Sequence, residues 1–118
     1  MKVLDYLPIV SLVVGGWAVV NGILHDVFVL ISEHGKKYDR DLLRLLMDGH
    51  ILITCGVMQM IAYPGLRSHE NWAYYVSGVA CISLLGYCAM IFPFLKSLFT
   101  ILLNAALLVL LIMSFSKA

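Results

Sequence analysis

Residues Leu7 to Ile31 form an apolar run that reads LPIVSLVVGGWAVVNGILHDVFVLI. A helix needs about 20 apolar residues to cross the hydrocarbon core of a bilayer, and this run is long enough to do so. Lipid offers the backbone no hydrogen-bond partners, so a span of this kind must be helical. The stretch predicts a membrane-spanning helix with one unusual feature, since His25 and Asp26 stand side by side near its end.

The rest of the chain repeats this apolar pattern three times. The 118 residues are 62% hydrophobic and 13% charged, with a mean hydropathy of +0.95; soluble domains carry about 25% charged residues. The apolar runs cover roughly residues 7–31, 42–63, 72–92 and 95–115. Short connections make neighbouring helices antiparallel. We therefore predict an all-α integral membrane protein, in which residues 1–118 form a single domain of four transmembrane helices in an up-down-up-down antiparallel bundle.

Glycine, proline and serine residues mark the expected ends of these helices. Gly35 is predicted to end the first helix in a left-handed conformation. Pro64 and Gly65 are predicted to end the second helix, and Ser68 to cap the third. Pro93 predicts a tight turn between the third and fourth helices.

Basic residues are slightly more numerous at one end of the predicted bundle. The side of the first and third loops carries Lys36, Lys37, Arg40, Arg44 and Lys96. The opposite side carries Lys2, Arg67 and Lys117. Because cytoplasmic loops are enriched in Lys and Arg, this distribution favours a cytoplasmic first loop with both termini outside.

Small residues of the first two spans fall on faces that also carry the ionisable residues. At 100° per residue, Gly15 and Gly22 share a broad arc of the first helix with His25 and Asp26. Gly49 and Gly56 share a face of the second helix in the same way, together with Asp48. Small residues mark places where membrane helices approach closely, so we expect the two helices to pack through these glycines.

Antiparallel packing would place the ionisable residues of both helices at a similar depth. Charged groups within spans usually face the bundle interior and pair with one another. We expect an inward-facing cluster of His25, Asp26, Arg44 and Asp48, in which Arg44 is the main counter-ion. Two interpretations stay open: a clasp between helices, or a site that handles a proton, an ion or a small polar solute.

His25 and His50 allow an alternative hypothesis. Two histidines at similar depth on facing helices can hold a haem iron between them. The protein would then be a membrane-anchor subunit of an electron-transfer complex that contacts haem or quinone. His50 lies about 200° from Asp48 around its helix, so it would face another helix or a second protomer.

In outline, the chain resembles DoxX-like membrane proteins. The resemblance rests on four spans, on glycine-rich first and second helices, and on the segment MDGHILITCGVMQMIAY at residues 47–63. In that segment an acidic residue is followed by glycine and aliphatic residues. The resemblance covers about the first half of the chain and transfers no functional residue.

Several functional classes are not expected. A net charge of +1 gives no basic surface for nucleic acid. Cys55, Cys81 and Cys88 lie in apolar runs without metal-ligand spacing, so no metal is expected. No nucleophile and base are paired, which predicts that the protein is not an enzyme and has no cofactor of its own. We expect a protein embedded in membrane lipid, working as a homo-oligomer or within a larger membrane complex; a purely structural assembly partner is the third hypothesis.

Overall fold

The computed structural model describes the backbone of residues 3–92 and 98–117, and the side chains of residues 5–92 and 98–116. These residues form four helices: α1 (Leu7–Ile31), α2 (Arg40–Arg67), α3 (Asn71–Ile91) and α4 (Leu98–Lys117). All four are long and apolar enough to cross a membrane. The predicted all-α membrane architecture is confirmed. The turn predicted at Pro93 and the predicted start of the fourth span at residues 95–97 lie outside the described residues.

Contacts between neighbouring helices run in opposite directions along the chain. Between α1 and α2, Gly15 meets Gly56 while the later Gly22 meets the earlier Gly49. The α2–α3 pair shows the same order, since Gln59 contacts Cys81 while the later Gly65 meets the earlier Ala73. Tyr74 of α3 contacts Ser114 of α4, and Trp17 of α1 contacts Thr100 of α4. These contacts agree with an up-down-up-down order of the four helices.

The contact between α1 and α2 is the most extensive in the bundle and is made through glycine. A Cβ atom at Gly22 would lie 2.5 Å from the carbonyl oxygen of Gly49. A Cβ atom at Gly15 would lie 2.5 Å from the carbonyl oxygen of Gly56. The two backbones therefore touch directly, which only residues without a side chain allow.

The end of α1 differs from the prediction. Among the described residues no glycine has a positive φ, so Gly35 does not act as a left-handed terminator. The helix ends at Ile31, and the backbone N–H of Ser32 bonds to the carbonyl oxygens of Phe28 and Val29. Gly35 lies in a 3-10 turn at Glu33–Lys36, where a Cβ atom would collide with the backbone of Leu30. Glycine is needed there for space.

The end of α2 also differs, because the helix continues through Pro64 and Gly65 to Arg67. A proline this close to a helix end removes only one late hydrogen bond. Gly65 packs directly on α3, and a Cβ atom there would lie 2.6 Å from Cβ of Ala73. Packing against α3 therefore stabilises the last turn of α2, although Pro64 and Gly65 were predicted to end the helix before it. Ser68 closes α2 instead of capping α3, which follows Glu70.

The start of α2 lies two residues before the predicted span. Asp39 caps it, because its carboxylate accepts a hydrogen bond from the backbone N–H of Leu42 at 2.9 Å. A side-chain acceptor at this position satisfies one of the first N–H groups, which have no partner within the helix. The first polar loop is therefore short, and it holds α1 and α2 side by side.

Candidate functional site

Asp26 lies on the face of α1 that packs against α2. Its Oδ1 atom is buried and has no hydrogen-bond partner within the described part of the chain. A Cβ atom added to Gly49 would collide with this carboxylate, so the Asp26 side chain fills the space that the glycine leaves open. The residue lies one to two turns from the end of α1. Ionisable groups placed in this way inside membrane bundles are rare and usually functional.

His25 contacts the same helix one turn away from Gly49. Its Nε2 lies 2.9 Å from the backbone carbonyl oxygen of Leu45. A carbonyl oxygen only accepts, so Nε2 carries the hydrogen and donates it. The other ring nitrogen, Nδ1, is then the atom that can gain or lose a proton. His25 and Asp26 together bring two ionisable groups to the α1–α2 contact.

Arg44 is exposed and does not serve as the expected counter-ion. Within residues 5–92 and 98–116 no ion pair joins it to Asp26 or to Asp48. A long arginine side chain near the start of a membrane helix can extend towards water and headgroups while its aliphatic part stays on the apolar surface. The carboxylates of the site are therefore not neutralised by this residue.

Asp48 is half-buried and faces α3, away from the Gly49 contact with Asp26. Its polar neighbour on α3 is Tyr87. The two side chains line a groove of about 460 Å³ together with Leu45, Met90 and Ile91. Asp48 and Gly49 are consecutive, and a helix turns by about 100° per residue. Asp26 and Asp48 therefore meet different neighbours of α2 and do not form one cluster.

His50 lies on the outer face of α2 and is exposed, as is Thr54 one turn later. His25 is turned towards Leu45, and no described contact joins the two histidines. Across the described residues, no group of three or more His, Cys, Asp and Glu side chains is arranged to hold a metal ion. The two imidazoles expected for haem are thus not presented to a common space.

A second set of polar side chains lies deeper in the bundle and was not among the predicted site residues. Ser11, Gln59, Ser77 and Asn104 are fully buried and come from four different helices. The amide nitrogen of Gln59 donates to Oδ1 of Asn104 at 2.7 Å and contacts Sγ of Cys81 at 3.3 Å. Ser11 donates to the backbone oxygen of Gln59 at 2.8 Å and lies 3.0 Å from Ser77.

One atom of this network has no partner, the Oε1 oxygen of Gln59. The amide of Asn104 donates to the carbonyl oxygen of Thr100 at 3.0 Å, which turns its own oxygen towards Gln59. Gln59 must therefore present its nitrogen to Asn104, and its oxygen is left over. In the sequence, this network is indicated only by one side-chain amide in each of two apolar helices, Gln59 in α2 and Asn104 in α4. Tyr87 was also missed, because α3 contains several hydroxyl residues and nothing in the sequence distinguishes this one.

Comparison of the chain with known protein families, with curated proteins and with solved structures finds no match.

Proposed function

We propose that this multi-pass membrane protein handles a proton, or an ion or small polar solute moved with one, at the Asp26 carboxyl group between α1 and α2. The observation that supports this is the buried Oδ1 atom of Asp26, which has no donor among the described residues. An unpaired carboxylate oxygen is costly in an apolar environment. A bound proton or cation removes that cost, so the site gains stability from the species that it would carry.

His25 supports the same role through its position. Its Nε2 hydrogen is held by the carbonyl oxygen of Leu45, which orients the ring. With Nε2 occupied, Nδ1 is the nitrogen at which a proton would enter or leave. Histidine is suited to this step because its charge changes near neutral pH. His25 is adjacent to Asp26. It contacts α2 at Leu45, which lies nearer to the start of that helix than Gly49, the residue that Asp26 meets. His25 is therefore the relay that we propose between Asp26 and the loop.

Purified protein in liposomes with an internal pH-sensitive dye tests this proposal. A potassium gradient with valinomycin drives protons, and the rate of acidification is compared with that of empty liposomes. We expect Asp26→Asn to reduce the rate to that of empty liposomes, because the amide cannot carry the proton. Asp41→Asn is the matched control, since Asp41 is exposed on α2, and it should keep the rate. Equal rates for wild type and Asp26→Asn would contradict the proposal.

Assembly with further membrane protein is a second part of the proposal. His50 and Thr54 are exposed on the outer face of α2, where lipid would leave their polar groups without partners. A second copy or another subunit would cover them. The mass of the protein in detergent measures the assembly.

We propose a binding or transport role rather than an enzymatic one, because the connections at residues 32–39 and 68–70 leave little surface outside the membrane.

The electron-transfer alternative has less support. It requires His25 to lose its hydrogen bond to Leu45, and it requires His50 to turn from the outer face of α2 towards His25.

We also propose that the first loop is cytoplasmic, on the basis of the exposed Lys36 and Lys37. Two other residues behind this orientation, Lys2 and Lys96, lie outside the described residues.

A further inference from the structure

The groove between α2 and α3 is a separate feature from the Asp26 contact. It has a volume of about 460 Å³, which is within the usual range for small-molecule sites. Three of its five lining residues are apolar: Leu45, Met90 and Ile91. Met90 is 76% exposed, so the groove opens outward between the two helices. A ligand with an apolar body could therefore enter from the lipid side.

Asp48 supplies the single charge in the lining of this groove. No ion pair neutralises it within the described residues, and α3 has no charged residue between Asn71 and Ile91. The other polar group in the lining is the Tyr87 hydroxyl. The Tyr87 ring adds an aromatic face, which attracts cations. An apolar groove with one carboxylate and one aromatic ring is complementary to an apolar molecule with one positive charge.

The depth of the groove agrees with such a ligand. Asp48 is eight residues after Arg40, about 12 Å along the helix axis, and Tyr87 is four residues before the end of α3. Asp48 therefore lies inside the span but near its end. An amphipathic cation favours this depth, since its apolar part can lie in hydrocarbon while its charge stays close to the interface.

We infer that the Asp48–Tyr87 groove binds a soluble lipophilic monocation, with the Asp48 carboxylate as its counter-ion and the Tyr87 ring as an aromatic wall. This site goes beyond the proposed proton site and does not depend on it. Asp26 meets α2 at Gly49, on another side of the helix. Binding at Asp48 and proton movement at Asp26 can thus be measured and can fail separately.

Equilibrium dialysis of tetraphenylphosphonium against the full chain in dodecyl maltoside tests the inference. We expect saturable binding at one site per chain. Tetraphenylborate has nearly the same shape and the opposite charge, so it should not bind saturably. Asp48→Asn should weaken the affinity by about tenfold or more, because it removes the charge but keeps the size of the side chain. Asp26→Asn and Asp41→Asn should stay within about twofold of wild type.

A steric variant separates loss of binding from loss of folding. Met90→Trp narrows the groove at an exposed position, so the bundle should fold while binding is lost. Helix content and elution as a single species check the fold of each variant. Unchanged affinity in Asp48→Asn, or an equal loss in Asp41→Asn, would overturn the inference. So would a stoichiometric amine lipid that co-purifies with wild type and is lost in Asp48→Asn, since the groove would then bind a lipid headgroup.

Discussion

The hydrogen bond between Gln59 and Asn104 should contribute measurably to the stability of the bundle. Both side chains are fully buried, and Nε2 of Gln59 has two contacts, Oδ1 of Asn104 at 2.7 Å and Sγ of Cys81 at 3.3 Å. Asn104→Leu removes the better acceptor and leaves a buried amide with only a weak sulfur contact. Leaving a buried polar group without its partner costs about 1–3 kcal/mol.

The membrane environment places the expected value in the lower part of that range. Interhelical hydrogen bonds in a membrane bundle average about 0.6 kcal/mol and reach about 1.7 kcal/mol. We expect Asn104→Leu to lower the free energy of unfolding by about 1–2 kcal/mol. Adding Gln59→Met should recover most of this loss, because it removes the stranded amide and also the Oε1 oxygen that has no partner. Replacing both partners by apolar groups of similar shape is nearly neutral.

Unfolding in mixed micelles of dodecyl maltoside and SDS measures these free energies. Trp17 is a suitable reporter, since its indole nitrogen donates to Oγ1 of Thr100 at 3.2 Å and its ring meets Phe99 edge to face at 4.7 Å. Its emission should change when α1 and α4 separate. The decisive result is the order of the variants. A double variant less stable than Asn104→Leu alone, or a single variant as stable as wild type, would contradict this prediction.

Two further predictions concern the helix contact and the redox alternative. Gly15→Ala should destabilise the bundle by about 1–3 kcal/mol through overpacking, since its Cβ would meet the Gly56 carbonyl oxygen at 2.5 Å. The control is Gly16→Ala, because a Cβ atom at Gly16 would have nothing within 4 Å. This variant should be neutral or slightly stabilising in the same unfolding assay. The purified protein should show no Soret band in an oxidised or reduced absorption spectrum, and a band lost on replacing His25 or His50 by alanine would show that these residues bind haem, as the electron-transfer alternative requires.

Helix positions were predictable where one local property decides them. The bounds of α1 match the apolar run from Leu7 to Ile31, because hydrocarbon thickness and the need to pair every backbone group act on the segment itself. The end of α2 was not predictable in this way. Pro64 and Gly65 are ordinary signals for a helix end, yet the contact of Gly65 with Ala73 in α3 keeps the chain helical to Arg67.

The candidate site shows the same division. His25 and Asp26 are visible in the sequence because they interrupt an apolar span. Their placement against Leu45 and Gly49 depends on how α1 is rotated against α2. Asp48 was expected in the same cluster, but it lines a groove with Tyr87 of α3. A projection of each helix gives its faces, whereas the neighbour of each face depends on packing.

The four membrane helices and the ionisable groups within them can be recognised from the amino-acid sequence. Length, hydropathy and backbone hydrogen bonding are properties of each segment, so they need no knowledge of the rest of the chain. Which polar groups contact one another depends instead on the packing of the helices. Gln59 and Asn104 are far apart in the chain and contact at 2.7 Å, because the rotation and depth of every helix are set by close packing among all four.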